Sequence, residues 1–308
     1  MRSLLTFHGR GRGKAWNRQL LAAIKAIVDE RKHELNLRKL HSISVGFDLN
    51  DMLRSVDTSL ESSVAFMRRR DKKARTGAAG CMVAVMHDNR YVRQIFLDAT
   101  HLVDLIDQPH QASCAANIIA HELAHVDLDD WQTQPPLSCI ADALHPNWRY
   151  KVLRYLTMNF WDEYAACRMS VRYGDPVAVA RNFAGCLRSN TTELPKLKLY
   201  TRKHWRTLRA AKTFGEASNA AREPLRSASY LMGHLDGLGC PLSVEELCPS
   251  ARGSPLATCR PKLHQELRLM WQGYNPDFKF DMLDGLAPVL MEAIRICGGE
   301  RMLVGMTL

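Results

Sequence analysis

Apolar residues along this chain recur at two spacings, and the spacings divide it into elements. Trp16, Leu20, Leu21, Ile24, Ile27 and Val28 return every three or four residues, the stripe of an amphipathic helix over 15–39. Ile43, Val45 and Phe47 then alternate with Ser44 and Gly46, which predicts a half-buried strand over 42–47. A weaker helical stretch follows over 49–67. Cys81–His87 and Tyr91–Leu97 read as two more strands, and Asp88-Asn89 supplies the turn chemistry of a hairpin between them. A short helix or turn over 98–106 is stopped by Pro109. Residues 112–128 form a helix that is small or apolar on almost every side. Pro135, Pro136 and Pro146 mark 132–148 as a loop.

The second half has the helical spacing almost throughout. Val152, Leu153, Leu156, Phe160, Tyr164, Cys167 and Val171 form one stripe over 150–173, and Gly174-Asp175-Pro176 breaks it. Further helices are expected over 177–189, over a basic stretch at 199–222, and over 225–237 behind Pro224, with a loop over 190–198. Pro241, Pro249, Pro255 and Pro261 mark 239–262 as a loop holding buried thiols, and helices over 262–272 and 284–297 close the chain. Residues 1–14, with Gly9, Gly11 and Gly13 set between basic residues, read as a flexible tail. Strands followed by helices give an α+β protein with a mostly helical C-terminal half. The expected division is 1–175 and 176–308.

Composition narrows the class. Of the 308 residues, 46% are hydrophobic and 24% charged, the balance of a soluble globular protein with a real core. A net charge of +10 permits contact with nucleic acid or an acidic partner. The densest basic run is Arg68–Arg75; it reads either as a solvated helix end or as such a contact patch, and it holds no aromatic residue on which a base would stack. Nine scattered cysteines with no C-x-x-C pair point to free thiols in a reducing compartment. No apolar run approaches the ~18 residues of a membrane span. The opening residues have too short an apolar core for a signal peptide, so the expected location is cytoplasmic.

The chemistry lies in His121-Glu122-Leu123-Ala124-His125, on the apolar helix. Positions i and i+4 share a helix face, so the two imidazoles project side by side and can ligate one Zn²⁺. Glu122 sits about 100° round the helix, within reach of water at such an ion. Apart from histidines, Glu122 is the only charge between Pro109 and Asp127, and a lone buried carboxylate is costly unless something offsets it. A catalytic zinc takes a third protein ligand. Glu163 is the favoured one, a carboxylate on an otherwise apolar turn beside the small Ala165 and Ala166. Asp129, Asp162, His145, His204 and His234 compete for the role, and Asp129 continues the face of His125. Asp127, Asp129 and Asp162 can each supply an outer carboxylate that orients a ligand histidine.

Strands leading into an H-E-x-x-H helix resemble the zincin metallopeptidases, in which a small twisted sheet packs on the active-site helix. With Glu-x-x-Ala at Glu163–Ala166, the pattern resembles the gluzincins and the bacterial and phage repressor-cleaving peptidases called ImmA/IrrE-like. The resemblance covers about residues 80–175. It departs from many gluzincins at Cys167, where they carry aspartate, and in a long interval between His125 and Glu163. The metzincin pattern is absent, since Leu128 and Trp131 stand at its glycine and third histidine.

The resemblance implies a zinc metallopeptidase acting on a protein or peptide. His121, His125 and Glu163 would be its ligands and Glu122 its general base. A distal Tyr or His would stabilise the oxyanion, for which Tyr230 and His234 are the first choices and Tyr164 and Arg168 the next. Two other classes fit the sequence: a metal-binding regulatory or nucleic-acid-associated protein with little proteolysis, and a zinc amidase acting on cell-wall peptide.

Overall fold

The computed structural model describes residues 4–9, 11–54, 79–87, 90–108, 112–128, 148–192, 194, 210–274 and 280–299. The chain divides into two compact units, Met1–Asp130 with Met169–Val179, and Trp131–Arg168 with Ala180–Leu308. The protein is α+β: the described residues form one mixed sheet, with helices making up most of the others.

The first unit is built on a four-stranded sheet in the order β1-β2-β4-β3, with β1 Leu5–His8, β2 Leu40–Gly46, β3 Gly80–His87 and β4 Arg90–Asp98. β1 runs parallel to β2 and β2 parallel to β4, while β3 returns antiparallel along β4 and forms an edge. A parallel step needs a crossover, and helix α1 (Lys14–Arg31) provides it between β1 and β2. Leu20, Ile24 and Val28 of α1 pack on Ile43, Val45, Ile95 and Leu97 from one face of the sheet. Helix α2 (Leu49–Arg54) covers the other face, where Leu49, Met52 and Leu53 meet Val83, Val85 and Phe96. β4 is therefore buried on both faces, which explains its unbroken Ile95-Phe96-Leu97 run. Helix α3 (Ser113–Leu128) joins α1 on the first face through Ala115, Ile119, Leu123 and Val126.

The second unit is helical, with most of α4 (Trp148–Ser170) and α5 (Pro176–Thr192), and with α6 (Ala210–Gly237), α7 (Cys259–Gln272) and α8 (Leu286–Ile294), as its main described elements. Asp236 of α6 ties three of them together. Its carboxylate accepts hydrogen bonds from the Tyr164 hydroxyl of α4 at 2.6 Å and from His264 Nε2 and Arg268 Nε of α7 at 2.9 and 3.0 Å. Burial alone would raise the carboxyl's pKa; the donors outweigh it and hold the group well below the usual carboxylate range.

Three sequence expectations are corrected. Residues 5–8 are a strand and not part of a flexible tail, because the Leu5 and Phe7 alternation pairs with the well-buried β2 despite the glycines that follow. Pro224 lies inside α6 and does not begin a new helix. Buried Ala220, Ala221, Leu225 and Ala228 on both sides hold the helix together there, offsetting the ~3 kcal/mol that an interior proline costs. Residues 239–262 are not simply a loop: Val244–Leu247 and Pro249–Arg252 are helical turns, the first closed by a capping box between Ser243 and Glu246. The expected thiols are present, with Cys248 and Cys259 buried and every described cysteine free.

Candidate metal centre

Small residues let α3 sit deep in its unit. Ala115, Ala120 and Ala124 bring its backbone close to its neighbours, and nearly the whole second half of the helix is buried. Its N-terminal half is fixed by Asn117, whose Nδ2 donates to the carbonyls of Ser170 and Tyr173 at 3.2 and 3.1 Å. His121 and His125 stand one and two turns further along the same face. Both are buried, at 8% and 7% exposure, with rings perpendicular and their Nε2 atoms 3.0 Å apart. Two imidazole nitrogens about 2.0–2.1 Å from one tetrahedral ion lie about 3.3 Å apart, so the pair is already close to a shared-ligand geometry.

Glu122 is buried as well, at 8% exposure. It leans on the first residue of the edge strand β3: a Cβ placed on Gly80 would lie 3.0 Å from both Cγ and Oε1 of Glu122. Glycine there leaves room for the carboxylate at the start of an unpartnered sheet edge, with no strand beyond β3 among the described residues.

Glu163, the expected third ligand, lies on α4 in the second unit, and two imidazoles with a carboxylate are donors that can hold a metal ion. No family model, curated protein or solved structure matches the chain. What the group can do follows from its own chemistry.

Glu163 has its own surroundings on α4. Arg226 of α6 brings Nη1 to 3.7 Å from its Oε1, and the Tyr230 hydroxyl, one turn further along α6, hydrogen-bonds to it. Burial first, and then the Glu163 charge, push the Tyr230 phenol well above its ordinary range. The same causes raise the buried Cys167 thiol, one turn along α4. The two helices cross with no space to spare: a Cβ on Gly233 would overlap the Tyr164 carbonyl oxygen. Gly233→Ala should therefore force α4 and α6 apart at a cost of about 1–3 kcal/mol, read as a lower urea midpoint. Wild-type stability in that variant would mean the crossing is not this tight.

The other expected site residues are dispersed. His234 is fully buried on α6, edge-on to Phe183 at 5.7 Å. Tyr164 and Arg168 are engaged with Asp236, the Arg168 guanidinium donating to the Tyr164 hydroxyl at 2.8 Å. Asp162 is half-buried on α4, and Asp127 accepts the Asn36 backbone N–H at 2.7 Å. Asp129, His145, His204 and the Arg68–Arg75 run lie outside the described residues. No described helix is long and apolar enough to cross a membrane. Sequence reading assigned no role to Asn117, Gly80 or Gly233. Two of them leave a trace in the sequence, a polar side chain one turn before His121 and a glycine within an apolar helix.

Proposed function

We propose that the protein is a zinc-dependent peptidase of gluzincin type on a zincin-like fold, with His121, His125 and Glu163 as ligands and Glu122 as general base. The observation that supports this most directly is the buried imidazole pair of α3, with the Glu122 carboxylate beside it at the head of the edge strand. Two neutral imidazoles and a carboxylate are the donor set that zinc takes in hydrolytic sites that keep an open position. When bound, the ion supplies a Lewis acid that polarises a carbonyl and makes water acidic near neutral pH.

The chain supplies the rest. Glu122 accepts the proton of the attacking water and hands it to the departing amine nitrogen as the C–N bond breaks, so one carboxylate acts first as base and then as acid. Burial keeps it from being fully solvated by bulk water. An extended peptide pairing with β3 would run its backbone past Gly80, and thus past Glu122, which favours a peptide over a compact substrate.

The test is metal analysis followed by peptide cleavage. The purified protein should hold about one zinc per chain. It should cut extended peptides, lose that activity to a chelator, and recover it when zinc is returned. A protein that takes up no metal when zinc is supplied would refute the reading outright. One that binds zinc but cuts no peptide would refute the peptidase half of it.

A further inference from the structure

We infer that Tyr230, with Arg226 beside it, is a positioning residue for the metal ligand Glu163: it holds the carboxylate as an oriented anion and acts on a bound ion only through it. The inference rests on the reading of Glu163 as a ligand. Its grounds lie in the crossing of α4 and α6. Gly233 lets α6 touch the backbone of Tyr164, so the side chain one turn earlier on α6, Tyr230, must lie alongside the one preceding Tyr164 on α4, Glu163. The Tyr230 O–H donates to the Glu163 carboxylate. Arg226, another turn back, brings its guanidinium to 3.7 Å from the same carboxylate and is itself braced at 2.7 Å by Glu223.

The tyrosine is in turn held from behind. Its ring stacks on Phe183 of α5, with centroids 5.4 Å apart and planes at 26°, and the Arg226 guanidinium lies 6.0 Å from the ring centroid. A phenol whose ring is stacked on Phe183 and approached by a guanidinium has little freedom to swing. Glu163 has only 12% of its side chain exposed, so water contributes little to its orientation. A carboxylate with one oxygen tied by a phenol and its charge balanced by a guanidinium offers its remaining lone pairs in a fixed direction, and outer hydrogen bonds of this kind typically change metal affinity 10–100-fold.

This differs in consequence from an oxyanion-stabilising role, in which Tyr230 would touch the substrate. Tyr230→Phe keeps the ring and its stack on Phe183 and removes only the hydroxyl. Zinc affinity is measured by competition with a chromogenic chelator for wild type, Tyr230→Phe, Glu163→Ala and the double variant, and the cobalt(II)-loaded proteins are compared by visible absorption. Positioning predicts a roughly 10–100-fold weaker zinc site in Tyr230→Phe and a shifted cobalt spectrum. It also predicts no further loss when Tyr230→Phe is added to Glu163→Ala, because the hydroxyl then has no ligand to orient. Affinity within twofold of wild type, with turnover reduced, would overturn the inference in favour of the oxyanion role. Equal losses from Tyr230→Phe with and without Glu163 would also overturn it. If zinc binding is unaffected by Glu163→Ala itself, the fault lies with the third-ligand reading and not with Tyr230 alone.

Discussion

Glu122→Gln is expected to leave zinc bound and to lower peptide turnover by at least about 10²–10⁴-fold. The amide is nearly isosteric with the carboxylate, so it keeps the contact with the start of β3 and fills the same buried space beside Gly80. What it lacks is a lone pair basic enough to take a proton from water. Apo stability should stay close to wild type, because the amide fills the same volume at a buried position. The same variant thus separates three quantities. Turnover falls, zinc affinity stays within a few-fold of wild type, and the urea midpoint does not drop. Glu122→Asp should fall between the two in activity, since retracting the carboxylate by one methylene misplaces a base whose distance to water matters. A Gln variant within tenfold of wild-type turnover would mean that another group accepts the proton, and Glu122 would be left as a packing residue of α3.

The parts of this protein that could be read from its sequence are those whose cause is local. The helix at 112–128 and the hairpin at 81–97 follow from spacing and turn residues within a dozen positions, and both are present as α3 and as β3 with β4. His121 and His125 are neighbours because four residues make about one helical turn. Strand β1 was lost because four residues carry too little alternation to outweigh three glycines, and only pairing with β2 makes it a strand. The order β1-β2-β4-β3, which makes β3 an edge beside Glu122, is a choice among pairings that no single segment encodes. The same holds for Tyr230 against Glu163. Sequence suggests that each is special, but their meeting depends on a helix crossing set by Gly233, a residue whose importance is that nothing fits in its place.

His125→Ala should abolish the stabilisation that zinc gives. At free zinc a hundredfold above its dissociation constant, a single native-state site adds about 2.7 kcal/mol. For a chain of 308 residues that is a rise of about 4 °C in the unfolding midpoint. Removing one of three protein ligands takes away a share of the binding free energy worth about 3–5 kcal/mol, if the ~10–16 kcal/mol typical of zinc sites is spread over the three, and so weakens the site about 10²–10⁴-fold. At the same free zinc the midpoint should then barely move. The zinc-dependent shift is the quantity to compare. Deleting a buried imidazole packed at 4.5 Å against another ring also leaves a cavity, and the absolute midpoint of the apo variant will drop for that reason alone. His33→Ala serves as the control, since that side chain is exposed and its loss should leave the full shift in place. An undiminished shift in His125→Ala would move the ion away from α3 and take the proposed chemistry with it. A shift lost in His125→Ala but kept in Glu122→Gln would assign the two residues their separate tasks, one holding the ion and the other moving the proton.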